Sequence, residues 1–191
     1  MRVCVFCGSS AGKGQGYLAA AEEVGRTLAS RGIGLVYGGA GVGTMGALAD
    51  AALGAGGEVI GVIPRSLVDR EVAHPGLTNL EVVSDLHERK AKMAESADAF
   101  LALPGGAGTL EELFEVYTWA QLGLHSKPIA LLDVDGFYQP LLRMLDHFAA
   151  EGFLGGTYRE AIIVETDVNR VLDRYASFSP VSPKWVVEHE E

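Results

Sequence analysis

The sequence predicts an α/β fold: a mostly parallel β-sheet with helices on both faces. Short apolar runs rich in β-branched residues recur seven times, and they are almost continuously hydrophobic, as strands buried on both faces must be. Most of these runs are separated by segments with helical spacing. Alternating strands and helices form βαβ units with right-handed crossovers, so we expect a single doubly wound, Rossmann-like domain.

The elements follow in order along the chain. Each predicted strand is an apolar run that ends near a glycine, proline or charged residue, and the runs are 2–8, 33–39, 58–64, 80–84, 99–106, 128–133 and 161–165. Each predicted helix has apolar residues at helical spacing, and several end in glycine, a common helix stop: 17–32, 44–57, 86–98, 109–123, 137–152 and 167–178. The domain is therefore expected over residues 1–175, with a loosely packed tail at 176–191 that contains two Ser-Pro steps.

Composition and charge exclude several classes of protein. The chain has 191 residues, 48% of them apolar and 21% charged, which is typical of a globular protein. Its net charge is −10 and its 15 Lys and Arg residues are scattered, so no nucleic-acid partner is expected. The apolar runs are too short for a signal peptide or a membrane span. We therefore expect a cytoplasmic protein with no membrane association.

Two cysteines near the N-terminus form a C-x-x-C pattern, Cys4 and Cys7. Residues three apart in a strand point to opposite faces of the sheet, whereas a redox pair belongs at the start of a helix. The pattern therefore indicates two core cysteines rather than a redox or metal site, and no cluster of ligands elsewhere suggests a metal.

A first glycine-rich segment, "YGGAGVGTMG", follows the second predicted strand. Gly41, Gly43 and Gly46 satisfy G-x-G-x-x-G, a weak signal of nucleotide binding. The acidic residue that would hold a dinucleotide's ribose is missing after the next strand, so NAD is disfavoured and a mononucleotide remains open. The alternative is structural: the glycines let a helix pack close to the sheet. We assign Gly39 and Gly43 to the candidate site.

A second glycine-rich segment, "PGGAGTLEE", follows the fifth predicted strand. Gly105, Gly106 and Gly108 can leave backbone N–H groups free to converge, and a helix that starts near Thr109 adds its own unpaired N–H groups and positive dipole end. The Lys-Ser/Thr pair of a Walker loop is absent. The segment therefore predicts a site for a single phosphate, in keeping with ligand binding at strand carboxyl ends.

Charged residues flank this second segment. Thr109 and Glu112 have the spacing of a capping box, which would give Glu112 a purely structural role. Glu111 and Glu115 could equally be exposed helix surface. Upstream, "LHERKAKM" places Arg89 and Lys90 on a helix that leads into the strand ending at the glycine segment.

The "ERKAKM" segment, followed by "PGGAGTLEE" and "TWAQLG", resembles the LOG (Lonely Guy) family of cytokinin-activating phosphoribohydrolases, long mislabelled as lysine decarboxylases. The "CVFCGSS", "LVYGGAGVGTMG" and "DGFYQPLL" segments extend the resemblance over residues 1 to about 175. The chain differs from the residues common in the family at four positions: Ala40, Thr44, Leu86 and Ala107. These differences bear on the preferred substrate more than on the type of reaction.

The resemblance implies that Arg89 and Glu112 are the catalytic pair. It further implies a homodimer, or a larger oligomer, with sites near the interface. The nucleotide site would be lined by Glu71, Lys90, Gly106, Ala107, Gly108, Thr109, Leu110, Glu111 and Thr118.

The implied reaction is hydrolysis of the N-glycosidic bond of a nucleoside 5′-monophosphate, such as AMP or N6-isopentenyl AMP, without metal or cofactor. A pyridoxal phosphate decarboxylase needs a Schiff-base lysine and a partner for the ring nitrogen, and nothing in the sequence marks either. The second hypothesis is a carrier of the same fold that binds a nucleotide or molybdenum cofactor without turning it over. A carrier needs the anion site but not both Arg89 and Glu112.

Overall fold

The computed structural model describes residues 1–14, 16–68 and 72–185. It confirms the predicted α/β class and all seven strands, with six of the helices where the spacing indicated. The strands are β1 Arg2–Phe6, β2 Gly34–Tyr37, β3 Val59–Pro64, β4 Asn79–Val83, β5 Ala99–Ala102, β6 Ile129–Leu132 and β7 Ile163–Glu165. The helices are α1 Gly16–Ser30, α2 Gly43–Gly54, α3 Arg65–Val68, α4 Leu86–Glu95, α5 Ala107–Gln121, α6 Gln139–Ala150, α7 Gly156–Ala161 and α8 Val168–Ala176.

Three short elements were not predicted. They are α3, α7 and a 3-10 turn at Val134–Gly136. None is longer than six residues, so none has enough turns to show a hydrophobic period in the sequence.

The strands form one parallel sheet in the order β4-β3-β2-β1-β5-β6-β7. The order reverses at β1: the chain winds outward through β2, β3 and β4, then returns to the other side of β1 with β5. Ligands of such sheets bind beyond the strand carboxyl ends at this reversal. The loops after β1 and β5 therefore flank the expected crevice.

Two apolar cores lie on opposite faces of the sheet. Buried residues of α1, α2 and α8 pack on one face, and those of α4, α5 and α6 pack on the other. Cys4 belongs to one core and Cys7 to the other, and both thiols are free. The predicted separation of the two cysteines is confirmed, because alternate residues of β1 face opposite helical layers.

The segment after α8 contacts the domain as far as the structure describes it. The Tyr158 hydroxyl donates to the Ser182 carbonyl at 2.9 Å, and the Lys184 amide donates to the Gln121 carbonyl at 2.8 Å. Residues 186–191 of the predicted tail lie outside the described residues. In the described part of the chain, no helix is both long enough and apolar enough to cross a membrane.

Candidate active site

The glycine loop after β5 leads into α5, whose first turn faces a cleft. The helix begins at Ala107, two residues before the predicted start, with Gly106 as an extended N-cap that supplies no side-chain hydrogen bond. No N-cap side chain therefore accepts a hydrogen bond from the amides of Ala107, Gly108 and Thr109. With the positive end of the helix dipole, they form a cradle for an anion.

The capping-box interpretation of Glu112 is wrong. Thr109 is the third residue of α5 and not its N-cap, because Gly106 takes the extended conformation that ends the loop. The Glu112 carboxylate instead lies 3.2 Å from the Arg89 Nη2 atom. Glu112 is therefore available for chemistry.

Arg89 reaches Glu112 from the neighbouring helix. The Asp85 side chain caps the N-terminus of α4 by accepting hydrogen bonds from the His87 and Glu88 amides. Arg89 is the fourth residue of this helix and lies near its N-terminus. The Arg89 side chain is 12% exposed and that of Glu112 is 9% exposed. Burial raises the pKa of Glu112 to about 7. The positive charge of Arg89 acts to lower this pKa, and the negative charge of Glu111 acts to raise it. A carboxyl group with such a pKa can hold or release a proton near neutral pH.

Lys90 is almost fully buried and is held by two carboxylates of α5. Its ammonium donates to Glu111 and to Glu115, the latter at 3.1 Å. Burial acts to lower the pKa of Lys90, but the hydrogen bonds to Glu111 and Glu115 outweigh it and the pKa is raised. Glu111 and Glu115 are therefore more than exposed helix surface, since they keep a buried lysine charged beside the cleft.

Gly43 of the first segment serves close packing. At Gly43 the φ angle is +60°, and a Cβ atom would lie 2.5 Å from the Ser10 amide nitrogen. The neighbouring Thr44 hydroxyl accepts from the Gly8 amide and donates to the Gly8 carbonyl, both at 2.9 Å. The N-terminus of α2 thus binds the loop after β1 directly. This supports the structural interpretation of the segment.

We expect Gly43→Ala to lower the free energy of unfolding by about 2 to 4 kcal/mol, because the new Cβ meets backbone atoms and the positive φ disfavours a side chain. Urea unfolding would measure the change. Gly54→Ala is the matched control at the other end of α2, where no atom of the described residues, apart from the adjoining helix backbone, lies within 4 Å of the position of a new Cβ. Equal stability of the two variants would contradict the assignment.

A cleft of about 310 Å³ brings the predicted residues together at the reversal of strand order. Its lining includes Arg89, Lys90, Gly106, Ala107, Gly108, Thr109, Glu111 and Glu112. Gly105 and Leu110 belong to the same loop and helix turn but do not line it, and neither does the buried Gly39. Thr118 lies exposed on α5, about 13 Å from Thr109 along the helix axis. Glu71 lies outside the described residues.

Sequence reasoning missed part of the cleft wall. Residues after β1, the start of α2 and the start of α4 also line it: Cys7, Gly8, Ser9, Met45 and Leu86. The "CGSS" sequence after the first strand was a usable signal, because that loop lies at the carboxyl end of the central strand. Among the described residues, no group of three or more His, Cys, Asp or Glu is arranged to hold a metal ion.

Comparison with known proteins identifies similar sequences. Residues 45–175 match the family model described as "Possible lysine decarboxylase". The chain is 49% identical over 185 residues to a probable cytokinin riboside 5′-monophosphate phosphoribohydrolase of Oryza sativa subsp. japonica, covering 97% of this chain and 76% of the relative. It is 48% identical over 179 residues to a cytokinin riboside 5′-monophosphate phosphoribohydrolase of Arabidopsis thaliana, covering 94% and 83%.

Solved structures share the fold at lower identity. The molybdenum cofactor carrier protein of Chlamydomonas reinhardtii is 22% identical, with a TM-score of 0.68 over 92% of this chain and 98% of that one. The molybdenum cofactor binding protein of Rippkaea orientalis is also 22% identical, with a TM-score of 0.70 over 92% and 95%. At this identity the likeness concerns the fold alone.

Proposed function

Because the chain belongs to the family that includes the cytokinin riboside 5′-monophosphate phosphoribohydrolases, we propose that it hydrolyses the N-glycosidic bond of nucleoside 5′-monophosphates. The substrates are adenosine 5′-monophosphates, N6-modified ones among them, and the products are the free base and ribose 5-phosphate. The observation that carries the proposal is the buried Arg89–Glu112 pair beside an uncapped helix N-terminus in one cleft.

The phosphate binds at the start of α5. The amides of Ala107, Gly108 and Thr109 and the dipole of the helix favour a dianion there. Glu112 lies one turn further along the same helix, so a ribose joined to that phosphate extends towards its carboxylate. Binding energy from the phosphate then positions the reacting carbon.

Hydrolysis breaks the bond between C1′ and the base nitrogen and forms a bond between C1′ and a water oxygen. The sugar gains oxocarbenium character in the transition state. Ionised Glu112 stabilises that charge and accepts the proton from the attacking water. The departing base takes up a proton from solvent and Glu112 returns its own to solvent, so the reaction consumes one water in total. Arg89 keeps its own proton, since its pKa lies above about 12, and it orients Glu112 and the substrate.

The apolar side chains of the cleft provide the contact for the base. Leu86 lines the cleft with Met45 and is 54% exposed. Contact of water with a large apolar side chain is unfavourable in free energy, so covering Leu86 with an apolar part of a ligand would favour binding. Met93 and Trp119, which could have served the same purpose, do not line the cleft: Met93 lies in the core, and Trp119 is partly buried against that core. An N6-alkyl chain on adenine would cover Leu86.

The family description as a decarboxylase conflicts with the surroundings of the lysine in the cleft. A Schiff-base lysine must lose its proton to attack a carbonyl carbon. Lys90 is hydrogen-bonded to Glu111 and Glu115, which raises its pKa and keeps it protonated. Lys90 is therefore suited to binding an anion or positioning Glu111.

We further propose that the protein is a homodimer with its sites near the interface. Thr118 supports this proposal, because it is exposed and too far along α5 to reach the cleft of its own chain. The resemblance places Thr118 in a nucleotide site, and by its position that site would belong to another protomer. Light scattering of the purified protein tests the dimer.

The test of the reaction is chromatography of the protein incubated with AMP, N6-isopentenyl AMP, the matching nucleosides and other nucleoside 5′-monophosphates. We expect free base from the monophosphates and none from the nucleosides, because a nucleoside lacks the anchoring phosphate. Glu95→Gln is a suitable control variant, since Glu95 lies exposed on α4 and its carboxylate forms a surface ion pair with Lys92 at 3.7 Å.

Release of base from nucleosides at the same rate would contradict the phosphate assignment. Binding of monophosphates without release of base would favour the carrier hypothesis. A carrier has no need of the buried carboxylate at Glu112, so the two functions separate in this one assay.

A further inference from the structure

We propose that Gly38 is a positioning residue whose missing side chain leaves room for the catalytic guanidinium. The Gly38 backbone lies against the Arg89 guanidinium, the Val62 carbonyl accepts a hydrogen bond from its Nε atom, and the Met45 thioether lies beside Gly38. These three groups are called the Arg89 seat. The effect of the seat on catalysis rests on the proposed function, whereas its effect on packing does not.

The first observation is the fixed position of the guanidinium. An arginine side chain has many rotamers, and its ion pair with Glu112 restrains only one end of the fork, at 3.2 Å. The Nε atom is held separately, because it donates to the Val62 carbonyl of β3 at 3.1 Å. The two contacts together determine both the place and the plane of the guanidinium.

The second observation is the space at Gly38, which directly follows β2. A Cβ atom there would overlap the Arg89 Nη2 atom, and it would lie 3.1 Å from Cζ and 3.2 Å from the Met45 sulfur. The guanidinium therefore occupies the position that a side chain at residue 38 would need. Nη2 is the same atom that pairs with Glu112.

The backbone itself does not require glycine at this position. Gly39 has a φ of +77°, but Gly38 is outside the left-handed region. Alanine would therefore fit the backbone of residue 38 without strain. Arg89 is the group that makes glycine necessary, and the Met45 side chain can move.

The consequence is a coupling between two residues that are far apart in sequence. In Gly38→Ala, the new methyl group displaces Nη2 and breaks its contact with Glu112. A displacement of about 1 Å near a reacting group can cost about 10²-fold in rate. We expect kcat to fall by about that factor, while KM changes little because the phosphate cradle on α5 is untouched.

The experiment is a double-mutant cycle of Gly38→Ala and Arg89→Ala, read by thermal unfolding without substrate. We expect Gly38→Ala to lower Tm by several degrees in the native background and by little in Arg89→Ala, where the obstructing guanidinium is gone. Gly41→Ala is the matched control, because the nearest described atoms to its Cβ would be those of His74, at an ordinary 3.4 Å or more. It should match the parent protein.

Each outcome of the cycle decides the proposal. An equal loss of Tm in both backgrounds would overturn it, because the clash would then lie elsewhere. Native Tm and kcat in Gly38→Ala would also overturn it. If Gly38→Ala fails to fold, recovery of folding on adding Arg89→Ala supports the seat and continued failure contradicts it. The melting data stand even if no nucleotide is hydrolysed.

Discussion

Glu112→Gln is expected to reduce kcat for base release by about 10³-fold while leaving nucleotide binding within a few-fold of the native value. The amide keeps the size of the side chain but can neither carry a negative charge nor accept a proton from water. The phosphate cradle lies one turn earlier on α5 and does not depend on the carboxylate. Single-turnover chromatography and calorimetric titration with AMP would measure the two quantities separately.

The pH dependence of the same reaction gives an independent check. Because burial raises the pKa of Glu112 to about 7, kcat/KM of the native enzyme should rise with pH through 7 and level off above it. Glu111 helps to raise the pKa of Glu112, so Glu111→Gln should move that rise towards lower pH. The substrate phosphate also titrates, near pH 6, but its own pKa is the same for every variant.

If Glu112→Gln retained the native kcat, the carboxylate of Glu112 would have no role in the reaction. A pH profile that does not move in Glu111→Gln would assign the rise to the substrate phosphate instead.

Arg89→Ala is expected to have the second largest effect, with kcat/KM lower by about 10² to 10³-fold at pH 7 and partial recovery at higher pH. Arg89 opposes the effect of burial on Glu112, so its removal raises the pKa of Glu112 further and leaves the carboxyl protonated at neutral pH. Recovery on raising the pH follows because Glu112 then ionises.

The same variant should lose stability, by about 3 kcal/mol at pH 8 and less at pH 6, where a protonated Glu112 no longer needs a cation. Urea unfolding at both pH values would measure this difference. Arg89→Lys should restore little activity, because an ammonium cannot bind the Val62 carbonyl and Glu112 in the same geometry. Arg26→Ala is the control, since Arg26 forms an exposed pair with Glu22 that contributes little. If Arg89→Ala lost activity by the same factor at every pH, the proposed effect of Arg89 on the ionisation of Glu112 would be contradicted.

The arrangement of the cleft explains why two glycine-rich segments of similar composition differ in role. The segment after β5 opens α5 with an uncapped turn. In the part of the chain that the structure describes, no atom beyond the adjoining backbone lies within 4 Å of a Cβ built at Gly106 or Gly108. The segment after β2 is in close contact with the loop after β1, through Gly43 and Thr44. The first is open to a ligand, whereas the second is occupied by the protein's own backbone.

The sequence by itself determined the fold class and the seven strands, and its resemblance to a family indicated the candidate pair Arg89 and Glu112. Buried parallel strands are continuously apolar and helices repeat every 3.6 residues, so both are visible in a single chain. The glycine segment after β5 is equally visible, because an anion cradle needs consecutive residues. Arg89 and Glu112 were identified through the motifs that contain them, not through any sign that they meet.

Only the tertiary structure showed which groups those residues contact. In the structure Glu112 forms an ion pair with Arg89 and no capping box. Glu111 and Glu115 both accept hydrogen bonds from Lys90. The Arg89 guanidinium lies against Gly38 and donates to the Val62 carbonyl. Each of these contacts joins residues on different strands or helices, and it depends on the order β4-β3-β2-β1-β5. Hydrophobic periodicity sets which face of an element is buried but not which elements become neighbours, and the burial that raises the pKa of Glu112 follows from those neighbours.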